Sequence, residues 1–436
     1  MTAMMLAGVS YNFIAQKSCS PEGVPVDING FICPNQTILD QVNDMSMTTT
    51  SIRCAVSAVA SSIFGFMRDV TGKSRPLLII GVLAELITVS TYFLSAFYWS
   101  SSPWIPLLVH TFVSGGFGEV IVQLGANCLL IQESAPEELP LRLQVYTTAN
   151  LFLMLVAGNL ATMILTIFGY RWLFTVSIAL QAIAFLLVII LVKEKVNVTK
   201  NMRDSLASLK NVFKWRKNVI VLWLMLFAAP MNIAILISEG TNNASFFQIK
   251  FQFSMYQTSA YNSYGFSVAI VGSLLVPLIL RKVFHCKDLT LGIISSLVDC
   301  LGPIAFAFVD TPLSLYLFTL LNFMRLVTLP LPNTVISRIV TREEIGTYLG
   351  FAAIVTLWVP FSISKIFRVV FSYTESKWIG AYFLVSSGLF LLLALVYSVS
   401  YCIYDELETI EDLTESKEKL DQNLENGKCS PDKTRI

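Results

Sequence analysis

The chain is dominated by apolar stretches long enough to cross a lipid bilayer, repeated from end to end. Residues 172–192, WLFTVSIALQAIAFLLVIILV, are one such stretch, with no charged side chain. A membrane-spanning helix needs about 20 mostly apolar residues. Twelve segments come near or reach that length: 1–16, 48–67, 77–99, 104–131, 144–168, 172–192, 219–238, 260–280, 289–309, 313–336, 346–371 and 378–403. Hydrocarbon offers no partner to backbone N–H and C=O groups, so spans of this length must be helical. The expectation is an all-α membrane protein. Composition agrees: 14% of residues are charged and mean hydropathy is +0.66, against about 25% charged in soluble domains.

Orientation follows from the positive charges, which gather in loops on the cytoplasmic side of a membrane. Assigned alternately, the loops 68–75, 132–142, 193–217, 281–288 and 337–345 hold 17 Lys and Arg. The opposite set (17–47, 99–103, 169–171, 239–259, 310–312 and 372–377) holds 4: Lys17, Arg171, Lys250 and Lys377. The first set is expected inside, together with the tail 404–436. Glycosylation sequons begin at Asn35 and Asn243, both in external loops, so the chain reads as a glycoprotein. A third sequon, at Asn197, falls inside and is expected to be silent. Cys19 and Cys33 share the first external loop, where a disulfide can form. The remaining cysteines read as small apolar residues.

These spans divide into a six-helix unit over 1–192, a basic linker over 193–218, a second six-helix unit over 219–403 and a charged, disordered tail over 404–436. Part of the linker, 204–214, has amphipathic spacing for the membrane surface. The first span is short and lacks a basic leader, which reads as a helix missing its first turns. Tyr404-Asp-Glu-Leu407 has the spacing of a tyrosine sorting signal. Such a 6+6 layout points to two halves related by a repeat, with a site between them. A net charge of +1 and the lack of an aromatic-interleaved basic patch exclude nucleic acid as a partner.

The loop between the second and third spans reads Gly65-Phe-Met-Arg-Asp69-Val-Thr-Gly72-Lys73-Ser-Arg75-Pro76. Gly72 permits a tight turn. Asp69 is suited to accept hydrogen bonds at a neighbouring helix end, and Lys73 and Arg75 hold the loop inside. This loop resembles the signature loop of the major facilitator superfamily, which implies that Gly65, Asp69, Gly72, Lys73 and Arg75 form a gating element that latches two halves in the outward-facing state. A second resemblance lies in Thr328-Leu-Pro-Leu-Pro-Asn333 and the following Ile336-Ser-Arg338-Ile-Val340-Thr-Arg-Glu343-Glu344-Ile-Gly346. With the Gly-Gly-Phe-Gly of residues 115–118, these resemble solute carrier family 46, the group of the proton-coupled folate transporter and the thymic stromal cotransporter. The resemblance implies uptake of a small organic, often anionic solute, with protons as partners in several members. Three positions depart from the folate branch. Gly116 stands where that branch has an Asp, Val145–Thr148 and Asn150 stand where it has an acidic residue, and Asn333 stands where it has an Arg.

Ionisable side chains at bilayer depth are expensive, about 2.5–3.5 kcal/mol at a helix centre, and are functional candidates by default. Near mid-span the chain has Glu85, Glu119, Asp299 and Arg325; Arg53, His110, Lys365 and Arg368 lie nearer the outside. In the superfamily the first, fourth, seventh and tenth helices line the cavity, which selects Glu119 and Arg325. Glu85 and Asp299 are then structural partners. A carboxylate in a dry cavity can exchange a proton near neutral pH, and the planar guanidinium of Arg325 suits a carboxylate or phosphate. Gln123, one turn from Glu119, and Asn150 and Asn322 add polar lining, while Lys365 with Arg368 either guides an anion in or snorkels to the headgroups. His285 lies in an inner loop, solvated. Pro330 and Pro332 are expected to bend the tenth helix.

With 2 histidines and no metal-ligand or Ser/His/Asp grouping, no enzyme, metal or cofactor is expected. The reading is a secondary active transporter of a small organic anion, working by alternating access with protons and sited in the plasma or endolysosomal membrane. Its alternative is a non-transporting receptor or scaffold of transporter descent.

Overall fold

The computed structural model describes residues 2–20, 23, 36–135, 138–193, 219–253, 255–284, 286–340, 344–374 and 377–425. Every regular element among them is helical. The first half comprises α1 (Thr2–Cys19), α2 (Gln36–Thr71), α3 (Arg75–Phe97), α4 (Trp104–Val109), α5 (Glu119–Glu133) and α6 (Leu139–Leu191). The second comprises α7 (Val219–Phe251), α8 (Met255–Lys282), α9 (Asp288–Ala307), α10 (Pro312–Thr319), α11 (Leu331–Ile339), α12 (Ile345–Thr374) and α13 (Ala381–Glu425).

Among the described residues, 9 helices are long and apolar enough to cross a membrane. The other expected spans also fall on helices, for local reasons. Two spans fuse in α6, where Gly169 alone turns the chain at φ 80 and ψ −177; a positive φ of this kind favours glycine. The tenth span is broken between α10 and α11, and the first is α1. Prolines sit in first turns, where a missing N–H costs nothing: Pro76 in α3, Pro140 in α6 and Pro312 in α10, the last behind a capping box of Thr311 and Ser314. Large apolar side chains such as Leu186, Ile190 and Leu191 of α6 face outward, as a helix in lipid requires.

Each half is tied together by an aromatic cluster. In the first, Phe13 of α1 meets Tyr92 and Trp99 at one side and Tyr170 and Phe174 of α6 at the other, with ring centroids 5.0–5.8 Å apart. In the second, Phe246 and Phe247 of α7 pack on Tyr382, Phe383 and Tyr261. Edge-to-face pairs of this kind add about 0.5–1.5 kcal/mol each. Contacts between the halves run chiefly through α2 on α12, and through α6 on α8.

Two external assignments change. Lys17, expected in a loop, ends α1 and is buried, donating to the Ser95 carbonyl and hydroxyl at 2.6 Å and to Ser101 Oγ at 2.9 Å. A lysine so enclosed by oxygens no longer needs water. The span expected to end at 238 continues as α7 to Phe251, so Glu239, Asn243 and Lys250 are helical. Asn243 Oδ1 accepts from Tyr382 at 2.9 Å, so its sequon sits in a packed helix and not in a loop. The final helix runs to Glu425, past the 403 at which the last span is expected to end. Cys19 is disulfide-bonded. Its expected partner Cys33, the sequons at Asn35 and Asn197, the linker segment 204–214, Arg342, Glu343 and His285 lie outside the described residues.

Candidate functional site

The fourth span does not run as one helix. α4 gives way to a π-helical stretch, His110–Ser114, then to one short turn, Gly115–Phe117. Gly118 leaves the helical region at φ −91 and ψ −119, and α5 starts at Glu119. A helix start leaves N–H groups without partners, and here a buried acid supplies one. Glu85 Oε1, from α3, accepts from Glu119 N at 2.9 Å and from Ser114 Oγ at 2.6 Å. A side chain on Gly118 would collide with that same oxygen, so the glycine and the acid require each other. Glu119 itself is left exposed, as is Gln123 one turn on. Tyr146 of α6 lies within range of the Glu119 charge and is hydrogen-bonded to Asn150. Glu119 and Gln123 are thus exposed one turn apart on α5, and Asn150 is held by Tyr146 on α6.

Toward the outer end of that half, Arg53 NH1 lies 2.8 Å from His110 Nε2, and the Tyr92 hydroxyl lies 3.3 Å from Nδ1. Arginine can only donate. Nε2 is therefore an acceptor, and the ring hydrogen sits on Nδ1 toward Tyr92.

The tenth span breaks too. After α10 the chain passes through a 3-10 turn, Leu320–Met324, and residues 325–330 form turns before α11. Carbonyls freed there find donors on other helices: Asn232 Nδ2 reaches the Thr328 carbonyl at 3.3 Å, and Gln144 Nε2 reaches the Leu326 carbonyl at 3.5 Å. Pro330 and Pro332 lie at and just beyond the end of this break, which explains why the expected bend becomes an interruption. Arg325 is the first residue of the interrupted stretch. Its guanidinium forms an ion pair with Glu239 of α7, and its carbon centre lies 5.6 Å from the Phe390 ring centroid. The sequence reading left Arg325 open for an anion; the structure already gives it a partner. The signal was hidden because Glu239 follows an apolar run, Val219–Ser238, that is long enough by itself to cross a membrane. Asn322 is buried against Gly302, and Asp299 of α9 is buried near the Arg325 and Glu239 charges. Lys365 and Arg368 are exposed on α12.

At the basic-loop end, α2 and α12 meet backbone to backbone. Side chains on Gly65, Gly346 or Gly350 would collide with the facing helix. Small residues spaced four apart, Gly346 and Gly350, allow this approach, and Gly350 was not picked out in the sequence. Asp69 completes the contact. Its Oδ1 accepts from Gly346 N at 2.9 Å and its Oδ2 from Thr347 N at 2.6 Å, both in the first turn of α12. A carboxylate here also meets the positive end of the helix dipole. Arg68 pairs with Asp69 at 2.9 Å and reaches Gln132 of α5 at 3.1 Å. Gly72 adopts φ 66, Lys73 is exposed, and Arg75 donates to the Ile189 carbonyl at 2.6 Å. A second cluster at this end escaped the sequence reading: Asp288 pairs with Arg281 at 2.8 Å and with Arg338 at 2.7 Å.

An acid of one half clamping the opposite half's helix start, within paired bundles that each contain a broken mid-membrane helix, is the architecture of a known group. The Major Facilitator Superfamily model matches residues 28–364. The chain belongs to the major facilitator superfamily. It is a transporter, integral to a membrane and multi-pass. Among characterised proteins it is similar to the lysosomal proton-coupled steroid conjugate and bile acid symporter SLC46A3 of Gallus gallus, 22% identical over an alignment of 354 residues that covers 77% of this chain and 75% of that one. The resemblance to solute carrier family 46 is thereby supported. In fold it is similar to the human organic anion transporter MFSD10 (TETRAN), at 14% identity and TM-score 0.61 over 91% of this chain and 98% of that one. It is similar too to the E. coli fucose:proton symporter FucP, at 10% identity and TM-score 0.66 over 92% and 98%. A bacterial homologue of the iron transporter ferroportin, in its outward-facing state, matches at 14% identity and TM-score 0.62 over 92% and 99%.

Proposed function

We propose that this superfamily transporter takes up a small organic anion by alternating access, helped by an inward proton gradient. The observation that carries the reading is the Asp69 clamp on Gly346 and Thr347. It closes the basic-loop end while Glu119 and Arg325, one from each half, stand at mid-membrane helix breaks. Closure at that end, with the basic loops inside the cell, is an outward-facing arrangement of two six-helix units, 1–192 and 219–403. Glu119, with Gln123 and Asn150, belongs to the solute and proton pathway on this reading, and Arg325 with Asn322 to its opposite wall. Recognition of an anion then requires Arg325 to exchange Glu239 for the solute. The word lysosomal in the name of the SLC46A3 relative favours an endolysosomal membrane over the plasma membrane.

Radiolabelled uptake of an organic-anion panel at external pH of about 5.5 and about 7.4 tests this, because an inward proton-driven carrier runs faster when the outer side is acidic. Wild type is expected to accumulate at least one anion faster at the lower pH, and Glu119→Gln to reduce that rate. Intact cells report a plasma-membrane carrier; an endolysosomal one, whose lumen corresponds to the outer side, is reported by release of the anion from preloaded lysosomes at the two lumenal pH values. Uptake indifferent both to pH and to Glu119→Gln overturns the proton part; no transport of any anion in either preparation overturns the anion part.

A further inference from the structure

Among the described residues, the centre of the second half holds more acid than its one cation, Arg325, can balance. Glu239 pairs with Arg325, and Asp299 is buried one turn before Gly302, which packs against Asn322, three residues from Arg325. Glu239 is 3% exposed and gives Oε2 to the guanidinium. Asp299 is 1% exposed, and neither of its oxygens has a hydrogen-bond partner among the described residues. Glu239 Oε1 and Asn322 Oδ1 are buried and unpartnered as well.

Other titratable side chains packed around this group do not supply the missing charge. Tyr382 and Tyr397 come from α13, and Tyr261 from α8. Tyr397 is bonded to Asn232, and Tyr261 to Thr319 at 2.8 Å. On α9 itself Asp288 lies at the basic-loop end and is held by Arg281 and Arg338. The charges facing Asp299 are therefore one positive and one negative, and these already pair with each other. A bare carboxylate without hydrogen bonds costs far more at such a position than a neutral acid.

We propose that Asp299, Glu239 and Arg325 form a one-proton binding site in the second half, with the proton on Asp299 while Arg325 holds Glu239. The site deepens the proton-coupling part of the reading above. The balance is simple. With the proton bound, the three groups sum to zero charge. When the proton leaves, two carboxylates share one guanidinium, and Arg325 is drawn from α7 toward α9. Since Arg325 lies at the start of the interrupted stretch 325–330, which hangs on few hydrogen bonds, that transfer is the step by which proton release bends the tenth helix.

Infrared spectra of the purified full chain read the proton directly, without any substrate. At about pH 7.4, where an ordinary aspartate is ionised, the wild-type minus Asp299→Asn difference is expected to show a protonated-carboxyl C=O band. The same difference taken on a Glu239→Gln background is expected to show a carboxylate band instead, because Arg325 then turns to Asp299. A difference spectrum without the protonated band in wild type overturns the proposal, as does a protonated band that survives on the Glu239→Gln background. Both substitutions nearly conserve volume, and elution as a single species in gel filtration reports that each variant is folded. In uptake, Asp299→Asn is expected to bring the ratio of rates at the two pH values to about one. Infrared bands as expected with no anion carried leave the proton site standing and remove the uptake reading. A pH-dependent uptake with no Asp299 band does the reverse.

Discussion

The two halves each interrupt a mid-membrane helix, but they complete the interruption with opposite chemistry. In the first, a buried acid, Glu85, accepts from the Glu119 N–H at the start of α5 and leaves the next acid, Glu119, exposed. In the second, amide donors from Asn232 and Gln144 reach the freed carbonyls, and the charge at the break, Arg325, is neutralised by Glu239. One break exposes its charge and the other encloses it. The difference shows that equivalent places in a pseudo-repeated fold need not do equivalent work: the exposed charge is free to meet a solute or a proton, and the enclosed one is bound into the scaffold until something displaces its partner.

Thermal unfolding of the purified chain in detergent breaks or sharpens this contrast. The largest effect is expected at Arg325→Met, which leaves Glu239 as an unpaired buried charge. Breaking one side of a buried pair costs about 3–5 kcal/mol. If the melting temperature scarcely moves, Arg325 is not enclosed as described. A middle effect is expected at Glu85→Ala, which removes the acceptor for Ser114 and Glu119 N–H. Hydrogen bonds to charged groups are worth about 1.5–3 kcal/mol, and Glu85→Gln is expected to recover part of it through its remaining oxygen. No recovery would mean that volume, not capping, is what Glu85 supplies. The smallest effect, within about 0.5 kcal/mol, is expected at the exposed Glu119→Gln. A large destabilisation there would show that Glu119 is part of the scaffold and erase the contrast.

Much of this was legible because membrane-spanning helices announce themselves by length and polarity. The Asp69 clamp was legible in kind, since a Gly-Asp-Gly-basic loop calls for an acceptor at a helix end; that the end belongs to α12 was not. Glu119 and Arg325 stood out as lone charges in apolar runs. Glu239 did not, because the apolar run before it already fills a bilayer span and the acid then reads as the start of a loop. Lys17 was misplaced for the same reason. Hydropathy counts what would be costly in lipid, and it cannot see that Ser95, Tyr98 and Ser101 wait to enclose an ammonium. Asp299 was read as a structural partner of its neighbours, whereas both its oxygens lack hydrogen-bond partners among the described residues.

By itself the sequence determined the helical class, the run of spans and the side of the membrane the basic loops should occupy. Each of these follows from the cost of putting backbone and charge into hydrocarbon, which is paid residue by residue along the chain. Only the tertiary structure decided which charges are partnered and where helices break. Those depend on side chains 29 to 278 positions apart, such as Glu85 with Ser114 and Asp69 with Thr347, brought together by packing that no local pattern records.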